Sequence, residues 1–278
     1  MRLSEAFASR LVRGKAFIPF IMGGDPDLGT TTDLIVTLAE CGATAIEVGV
    51  PFSDPIADGP TIQRAAERAL TRGTTVDGVL TACAHARQHT DVPVILFSYI
   101  NPILRYGVAR LAERAAACGV AAVLFTDVPV EHSASYAQAL SPAGIEIIQM
   151  VAPTSSDERL KKIAVCAEGF LYAVSRTGVT GEQQELSGEA AELVARMRRF
   201  SELPVLLGFG ISSGKQFRQA CAIADGAIIG SALVNIIAGD EAAPAMLRRV
   251  RDWVERVTSQ DCESLVEPGI PRLPVRPS

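Results

Sequence analysis

The hydrophobic positions of this chain fall into two alternating patterns. Short apolar runs rich in Val, Ile, Leu and Phe are separated by longer segments in which apolar residues recur every three or four positions. The first pattern is typical of buried strands and the second of amphipathic helices. The predicted strands are, in order, Ala16–Met22, Ala45–Val50, Val92–Ser98, Ala122–Thr126, Ile145–Val151, Phe170–Val174, Val205–Leu207 and Ala227–Ile229.

Helical segments are predicted before the first strand and after every strand. They are Ser4–Arg13, Thr30–Glu40, Ile62–Thr71, Val76–His89, a helix running to Cys118, Glu131–Leu140, Asp157–Cys166, Gly188–Phe200, Gly214–Cys221, Ala232–Ile237 and Ala242–Val257. Eight β/α units in about 250 residues predict a single (β/α)8 TIM barrel with an extra N-terminal helix. A doubly wound open sheet is the alternative, but no GxGxxG follows the first strand.

Composition narrows the class of protein. The 278 residues carry a formal net charge of −5 without a block of Lys and Arg, so nucleic acid is not an expected partner. Neither a signal peptide nor an apolar run of about 18 residues is present, and a cytoplasmic protein without membrane contact is expected. Residues 1–258 are predicted to form one barrel domain, and the proline-rich residues 259–278 a flexible tail.

Two carboxylates stand out near the end of the second predicted strand. Glu47 lies in the middle of that strand and shares a face with Ala45 and Gly49, while Asp58 follows in a loop rich in Pro and Gly. Each has an ordinary structural explanation, a salt-bridged acid or a capped turn. Together at the active-site end of a barrel they indicate general acid/base chemistry.

Glycine-rich turns follow the last two predicted strands. They are typical of a phosphate site, because backbone N–H groups approach an anion closely there. The turns comprise Gly208, Phe209, Gly210, Gly230 and Ser231. After the sixth strand, residues 175–181 have the length and glycine content of a lid. His85 and His89 stand four apart but lack an HExxH pattern, so no metal site is expected.

These motifs resemble those of the tryptophan synthase α subunit family. The longest are IEVGVPFSDP (46–55) and ADGPTIQ (57–63). Shorter runs that agree are GDP (24–26), YINP (99–102), DVP (127–129), APT (152–154), TGVTG (177–181) and GFGI (208–211). The resemblance extends from about Phe17 to Ile237. Met22, Gly23 and Ala173 depart from the residues that are common in the family.

The resemblance implies a retro-aldol cleavage of indole-3-glycerol phosphate to indole and glyceraldehyde 3-phosphate. The resemblance implies that Glu47 is the general acid/base and that Asp58 binds the indole N–H. The residues implied to bind substrate are Phe20, Tyr99, Leu124, Tyr172, Thr180, Gly181, Gly208, Phe209, Gly210, Gly230 and Ser231.

The resemblance also implies a partner, a β subunit in an α2β2 complex that carries pyridoxal phosphate, with no cofactor in this chain. The residues implied at the partner interface are Phe52, Ser53, Asp54, Asp127 and Pro129. Two alternatives stay open, namely a free-standing lyase that releases indole for another pathway, and a non-catalytic activator of a β subunit.

Overall fold

Eight parallel strands form a closed barrel in the order of the sequence. The computed structural model describes residues 2–174, 188–208, 210–239 and 242–258. The strands are β1 (Ala16–Met22), β2 (Ile46–Gly49), β3 (Val94–Ser98), β4 (Val120–Phe125), β5 (Glu146–Val151), β6 (Leu171–Val174), β7 (Val205–Gly208) and β8 (Gly226–Ile229). Since β8 pairs with β1, the predicted barrel is confirmed and the open sheet is excluded.

Helices surround this barrel and one precedes it. They are α1 (Leu3–Arg13), α2 (Leu28–Glu40), α3 (Pro60–Thr71), α4 (Val76–Ala86), α5 (Ile100–Tyr106), α6 (Val108–Ala117), α7 (Val130–Leu140), α8 (Asp157–Cys166), α9 (Gly188–Met197), α10 (Gly214–Ile223), α11 (Ser231–Ile237) and α12 (Ala243–Thr258). A short 3-10 turn, Ser141–Ala143, follows α7. Most ends lie within a few residues of the predicted ones.

The segment after β3 differs from the prediction, which had one helix running to Cys118. Gly107 divides it into α5 and α6. Gly107 has φ +98°, a conformation that residues with a side chain rarely adopt. Its N–H still bonds to the carbonyl of Ile103 at 2.8 Å, so α5 ends in a hydrogen-bonded turn.

Strand β2 separates two apolar layers, as its alternation predicts. Ile46 and Val48 belong to the large cluster between strands and helices. Ala45 belongs to the cluster inside the barrel, and Glu47 lines a cavity above it. The face that carries Glu47 therefore points into the barrel.

Helix α1 closes the N-terminal end of the barrel. Leu3 and Phe7 join the interior cluster with Ala16 and Phe170, and the rings of Phe7 and Phe170 lie 5.3 Å apart. Burial of two large apolar side chains stabilises this closure by roughly 3–6 kcal/mol. The opposite, C-terminal end is left for a site.

Two predicted segments, the lid at 175–181 and the tail at 259–278, lie outside the described residues. Among the helices of the described ranges, none is long and apolar enough to cross a membrane.

Candidate active site

A cavity of about 220 Å³ opens at the C-terminal end of the barrel. Its walls come from strands β1, β2, β3, β6 and β8, from the loop after β2, from helix α3 and from the turns after β7 and β8. The lining residues are Phe20, Glu47, Ala57, Asp58, Gly59, Ile62, Phe97, Tyr172, Gly210, Ile228, Gly230 and Ser231. The sequence therefore brings both predicted acids and three of the predicted glycine-turn residues to one place.

Glu47 is a buried carboxyl group in apolar surroundings. It is 1% exposed and is flanked in the strand register by Phe20 of β1 and Ile95 of β3. Neither carboxyl oxygen has a hydrogen-bond partner among the described residues. Burial raises the pKa of Glu47 from 4.5 to about 8, because the charged form is poorly solvated there. Glu47 is thus protonated at neutral pH and placed to donate that proton into the cavity.

Asp58 lies in a loop that two side chains hold in place. The hydroxyl oxygen of Tyr99 accepts the N–H of Ala57 at 2.9 Å, and Gln63 Nε2 donates to the carbonyl of Asp58 at 2.9 Å. Burial raises the pKa of Asp58 to about 6, against the lowering effect of a hydrogen bond from Tyr99. At neutral pH Asp58 is mostly ionised, so the two acids occupy opposite protonation states.

One part of the cavity lining is an apolar slot. The rings of Phe20 and Phe97 meet edge to face with centroids 5.2 Å apart, and Ile62 and Ile228 complete the wall. Gly49 allows this arrangement because a Cβ there would lie 2.8 Å from Cζ of Phe20. The space above Gly49 is therefore filled by an aromatic ring, and the slot suits an apolar group.

Glycine and serine form another part of the cavity lining. Gly210 has φ +77°, and Gly230 directly precedes Ser231, the first residue of α11. Gly208 lies behind this part of the lining, where a Cβ would fall 2.3 Å from the hydroxyl oxygen of Tyr172. Backbone accessible at such turns suits an anionic group. The cavity thus combines an acid, a carboxylate, an apolar slot and a rim for an anion.

Comparisons with known proteins agree on one family. The family model described as tryptophan synthase alpha chain matches residues 7–261. The alpha chain of Carboxydothermus hydrogenoformans is 46% identical over 237 residues, which are 85% of this chain and 89% of that protein. The chain belongs to the tryptophan synthase alpha chain family.

Solved structures support the same assignment. A chain of the tryptophan synthase α2β2 complex of Pyrococcus furiosus matches with a TM-score of 0.82 and 37% identity, covering 88% of this chain and 98% of that one. A chain of the tryptophan synthase from M. tuberculosis, in its aminoacrylate-bound form, matches with a TM-score of 0.81 and 34% identity, covering 92% and 97%. The resemblance inferred from sequence motifs is confirmed.

The predicted family residues do not all reach the cavity. Leu124 is fully buried in the interior cluster, and its register neighbour Phe97 forms the wall at that point. Tyr99 lies one layer behind the wall, where it holds the Asp58 loop. Thr180, Gly181 and Phe209 lie outside the described residues. The roles assigned to these residues stay predictions.

The residues predicted to meet a partner lie near the same end of the barrel. Ser53 and Asp54 are exposed and joined by a hydrogen bond of 2.5 Å, while the ring of Phe52 packs on Tyr99 at 5.3 Å. Asp127 accepts the N–H of Ile100 at 2.8 Å, and Pro129 directly precedes α7. These two segments leave exposed side chains for a contact.

Motif reasoning missed Phe97, Ile62 and Ile228 as lining residues. They are apolar residues in apolar or helical patterns, and nothing in the sequence separates a cavity wall from a packed core. Met22, a departure from the family, is buried with its Cε close to the Cβ position of Gly49, at 3.2 Å. It belongs to the same apolar cluster as Phe20, against which Phe97 packs.

Proposed function

We propose that this chain cleaves indole-3-glycerol phosphate to indole and glyceraldehyde 3-phosphate by a retro-aldol reaction in tryptophan biosynthesis. It is a carbon–carbon lyase of the tryptophan synthase alpha chain family. The observation that carries the proposal is Glu47, a buried acid without a hydrogen-bond partner in the described part of the chain, which shares one cavity with Asp58.

The chemistry needs the indole ring to accept electrons. Glu47 donates its proton to the ring carbon that bears the side chain, which creates a positively charged indolenine. Asp58 accepts a hydrogen bond from the ring N–H and stabilises that charge. The bond from the ring to the side chain then breaks, its electrons return to the ring, and the Glu47 carboxylate helps to take the proton of the side-chain hydroxyl.

Two parts of the cavity lining would orient the substrate. The slot of Phe20 and Phe97 would hold the indole ring, and the rim of Gly210, Gly230 and Ser231 the phosphate group. Binding at both ends fixes the reacting bond between them, so binding energy from the phosphate contributes to catalysis. No group beyond Glu47 and Asp58 is required, and we propose no cofactor or metal for this chain.

A tryptophan synthase β subunit is the proposed partner and the holder of pyridoxal phosphate. This follows family membership and the relative from Pyrococcus furiosus, a member of an α2β2 complex. The exposed residues Ser53, Asp54, Asp127 and Pro129 are the proposed contact. A cytoplasmic location stays a prediction.

The test is indole release from indole-3-glycerol phosphate, measured with this chain alone and then with a β subunit. We expect indole in both conditions and strong activation by the β subunit. Full activity without it would assign a free-standing lyase. No indole in either condition would contradict the enzymatic proposal and favour a non-catalytic activator.

A further inference from the structure

Gln63 ties the loop that carries Asp58 to helix α3. Its backbone N–H donates to the carbonyl of Gly59 at 3.0 Å, and its side-chain Nε2 donates to the carbonyl of Asp58 at 2.9 Å. Because a carbonyl oxygen only accepts hydrogen bonds, the nitrogen of the side-chain amide must face it. A single residue in the first turn of α3 therefore binds both residues that come directly before the helix.

The start of α3 needs such a contact. Gly59 is the N-cap residue, and it has no side chain that could bond back to the first turn. Glycine also tolerates more backbone conformations than other residues. The direction in which the chain enters α3 therefore depends on contacts made by other residues, and the bond from Gln63 to Asp58 is one of them.

The rest of the loop has few connections to the barrel. The N–H groups of Asp58 and Ile56 donate to carbonyls of Pro55 and Asp54, at 3.1 and 3.0 Å, so these bonds stay inside the loop. Within the described ranges, two hydrogen bonds join the backbone of residues 51–58 to side chains outside it. They run from Ala57 to the Tyr99 hydroxyl oxygen and from Gln63 to Asp58.

Gln63 acts on the cavity from outside. Asp58 and Ile62 line the cavity, whereas Gln63, the residue after Ile62, does not. We propose that Gln63 is a positioning residue, whose side-chain N–H holds the Asp58 carbonyl and so aims the Asp58 carboxylate at the ring nitrogen of the substrate. This inference deepens the proposed function and rests on it, because Asp58 accepts the indole N–H there.

The size of the effect follows from the kind of bond. Loss of one neutral hydrogen bond shifts an equilibrium between two conformations by about 2- to 10-fold. The proposal requires that the loop without this bond is mostly misaligned. The affinity for a ligand that needs an aligned Asp58 then falls by that factor. A ligand that makes no bond to Asp58 should be unaffected.

Two ligands that cannot be cleaved separate these cases. Indole-3-propyl phosphate keeps the ring N–H and the phosphate of the substrate, but it lacks the side-chain hydroxyl group that a retro-aldol cleavage needs. In benzothiophene-3-propyl phosphate, sulfur replaces the ring N–H, so this ligand offers Asp58 no donor. Isothermal titration calorimetry with the full chain measures the dissociation constant of each.

The variants remove the donor and keep the size of the side chain. We expect Gln63→Met to weaken binding of the indole ligand by about 3- to 10-fold and to leave that of the benzothiophene ligand within about 2-fold. Gln63→Glu, which accepts rather than donates at neutral pH, should weaken the indole ligand at least as much. With a β subunit, kcat/KM of Gln63→Met should fall with its affinity for the indole ligand. Gln138→Met, the same change at an exposed position of α7, should match wild type.

Two results would overturn the positioning role. One is an unchanged affinity of Gln63→Met for the indole ligand. The other is an equal loss for both ligands, because Gln63 would then shape the whole site rather than aim Asp58. Far-UV circular dichroism reports folding, and Gln63→Leu replaces Gln63→Met if the methionine variant does not fold.

Failure of the proposed function would look different. Binding of the two ligands needs no turnover, so a wild-type chain that releases no indole would contradict the enzymatic proposal separately. A wild-type chain that binds both ligands equally would contradict the bond between Asp58 and the ring N–H, whatever the variants show.

Discussion

Glu47 lies in surroundings that are unusual for a carboxyl group, since it is 1% exposed. Its folded pKa of about 8 lies above its ordinary value of 4.5. From pH 4.5 upward the unfolded chain releases a proton that the folded chain keeps. Stability contributed by the neutral carboxyl group is therefore complete below pH 4.5 and is lost as the pH rises to about 8.

Glu47→Gln should remove this pH dependence. The free energy of unfolding of the variant, relative to wild type, should increase between pH 4.5 and pH 7 by on the order of 3 kcal/mol. Urea unfolding at a series of pH values measures it. Glu113→Gln, which changes an exposed carboxyl group on α6, is the control. If the free energy of unfolding changed with pH equally in wild type and Glu47→Gln, Glu47 would ionise freely in the folded chain.

The two acids also predict a pH–activity profile. With Asp58 ionised above about 6 and Glu47 protonated below about 8, kcat/KM should rise through the first value and fall through the second. The substrate phosphate titrates near pH 6 as well, so the inhibition constant of glycerol 3-phosphate must be measured over the same range. Activity that keeps rising above pH 8 would contradict protonated Glu47 as the acid.

At the scale of elements, α3 holds the Asp58 loop. Pro60 is the first residue of the helix, and Gln63 reaches back to the carbonyl of Asp58. Arg68, further along the same helix, forms a two-pronged ion pair with Asp25, at 2.8 and 2.6 Å. Asp25 follows β1 and is only 3% exposed. The pair therefore fixes the helix, and with it the loop, to the barrel.

Arg68→Met should destabilise the chain by about 1–3 kcal/mol, since it leaves Asp25 buried without its partner while the Arg68 side chain itself is partly exposed. Thermal unfolding measures the loss, and kcat/KM should fall with it because the Asp58 loop loosens. Arg64→Met is the matched control, one turn earlier on the exposed side of α3. Equal stability of the two variants would show that the ion pair of Arg68 and Asp25 does not stabilise the chain.

Elements with local signals were predictable. The glycine that ends α2 acts within a few residues, and most predicted ends lie close to the observed ones. The start of α3 was predicted at Ile62, two residues late, because Pro60 was assigned to the loop although proline is favoured at the first position of a helix. The ion pair of Asp25 and Arg68 joins residues 43 positions apart. The break at Gly107 depends on one backbone conformation. Neither the ion pair nor the break produces a periodic pattern in the sequence.

At the scale of the whole molecule, alternating strands and helices were enough to predict a closed barrel. The barrel in turn placed Glu47, Asp58, Gly210, Gly230 and Ser231 at one end, because the C-terminal ends of parallel strands meet there. Closure of the other end by α1 and the position of Tyr99 behind the wall depend on tertiary packing. Those features could be found only in the structure.

The central claim is that one buried, protonated carboxyl group in this barrel cleaves the substrate. Indole release by wild type and Glu47→Gln, each with a saturating β subunit, tests it most directly. Binding of glycerol 3-phosphate serves as the control for an intact site. We expect Glu47→Gln to lower kcat by at least about 100-fold while the affinity for glycerol 3-phosphate is kept. Equal turnover of the two proteins would contradict the account.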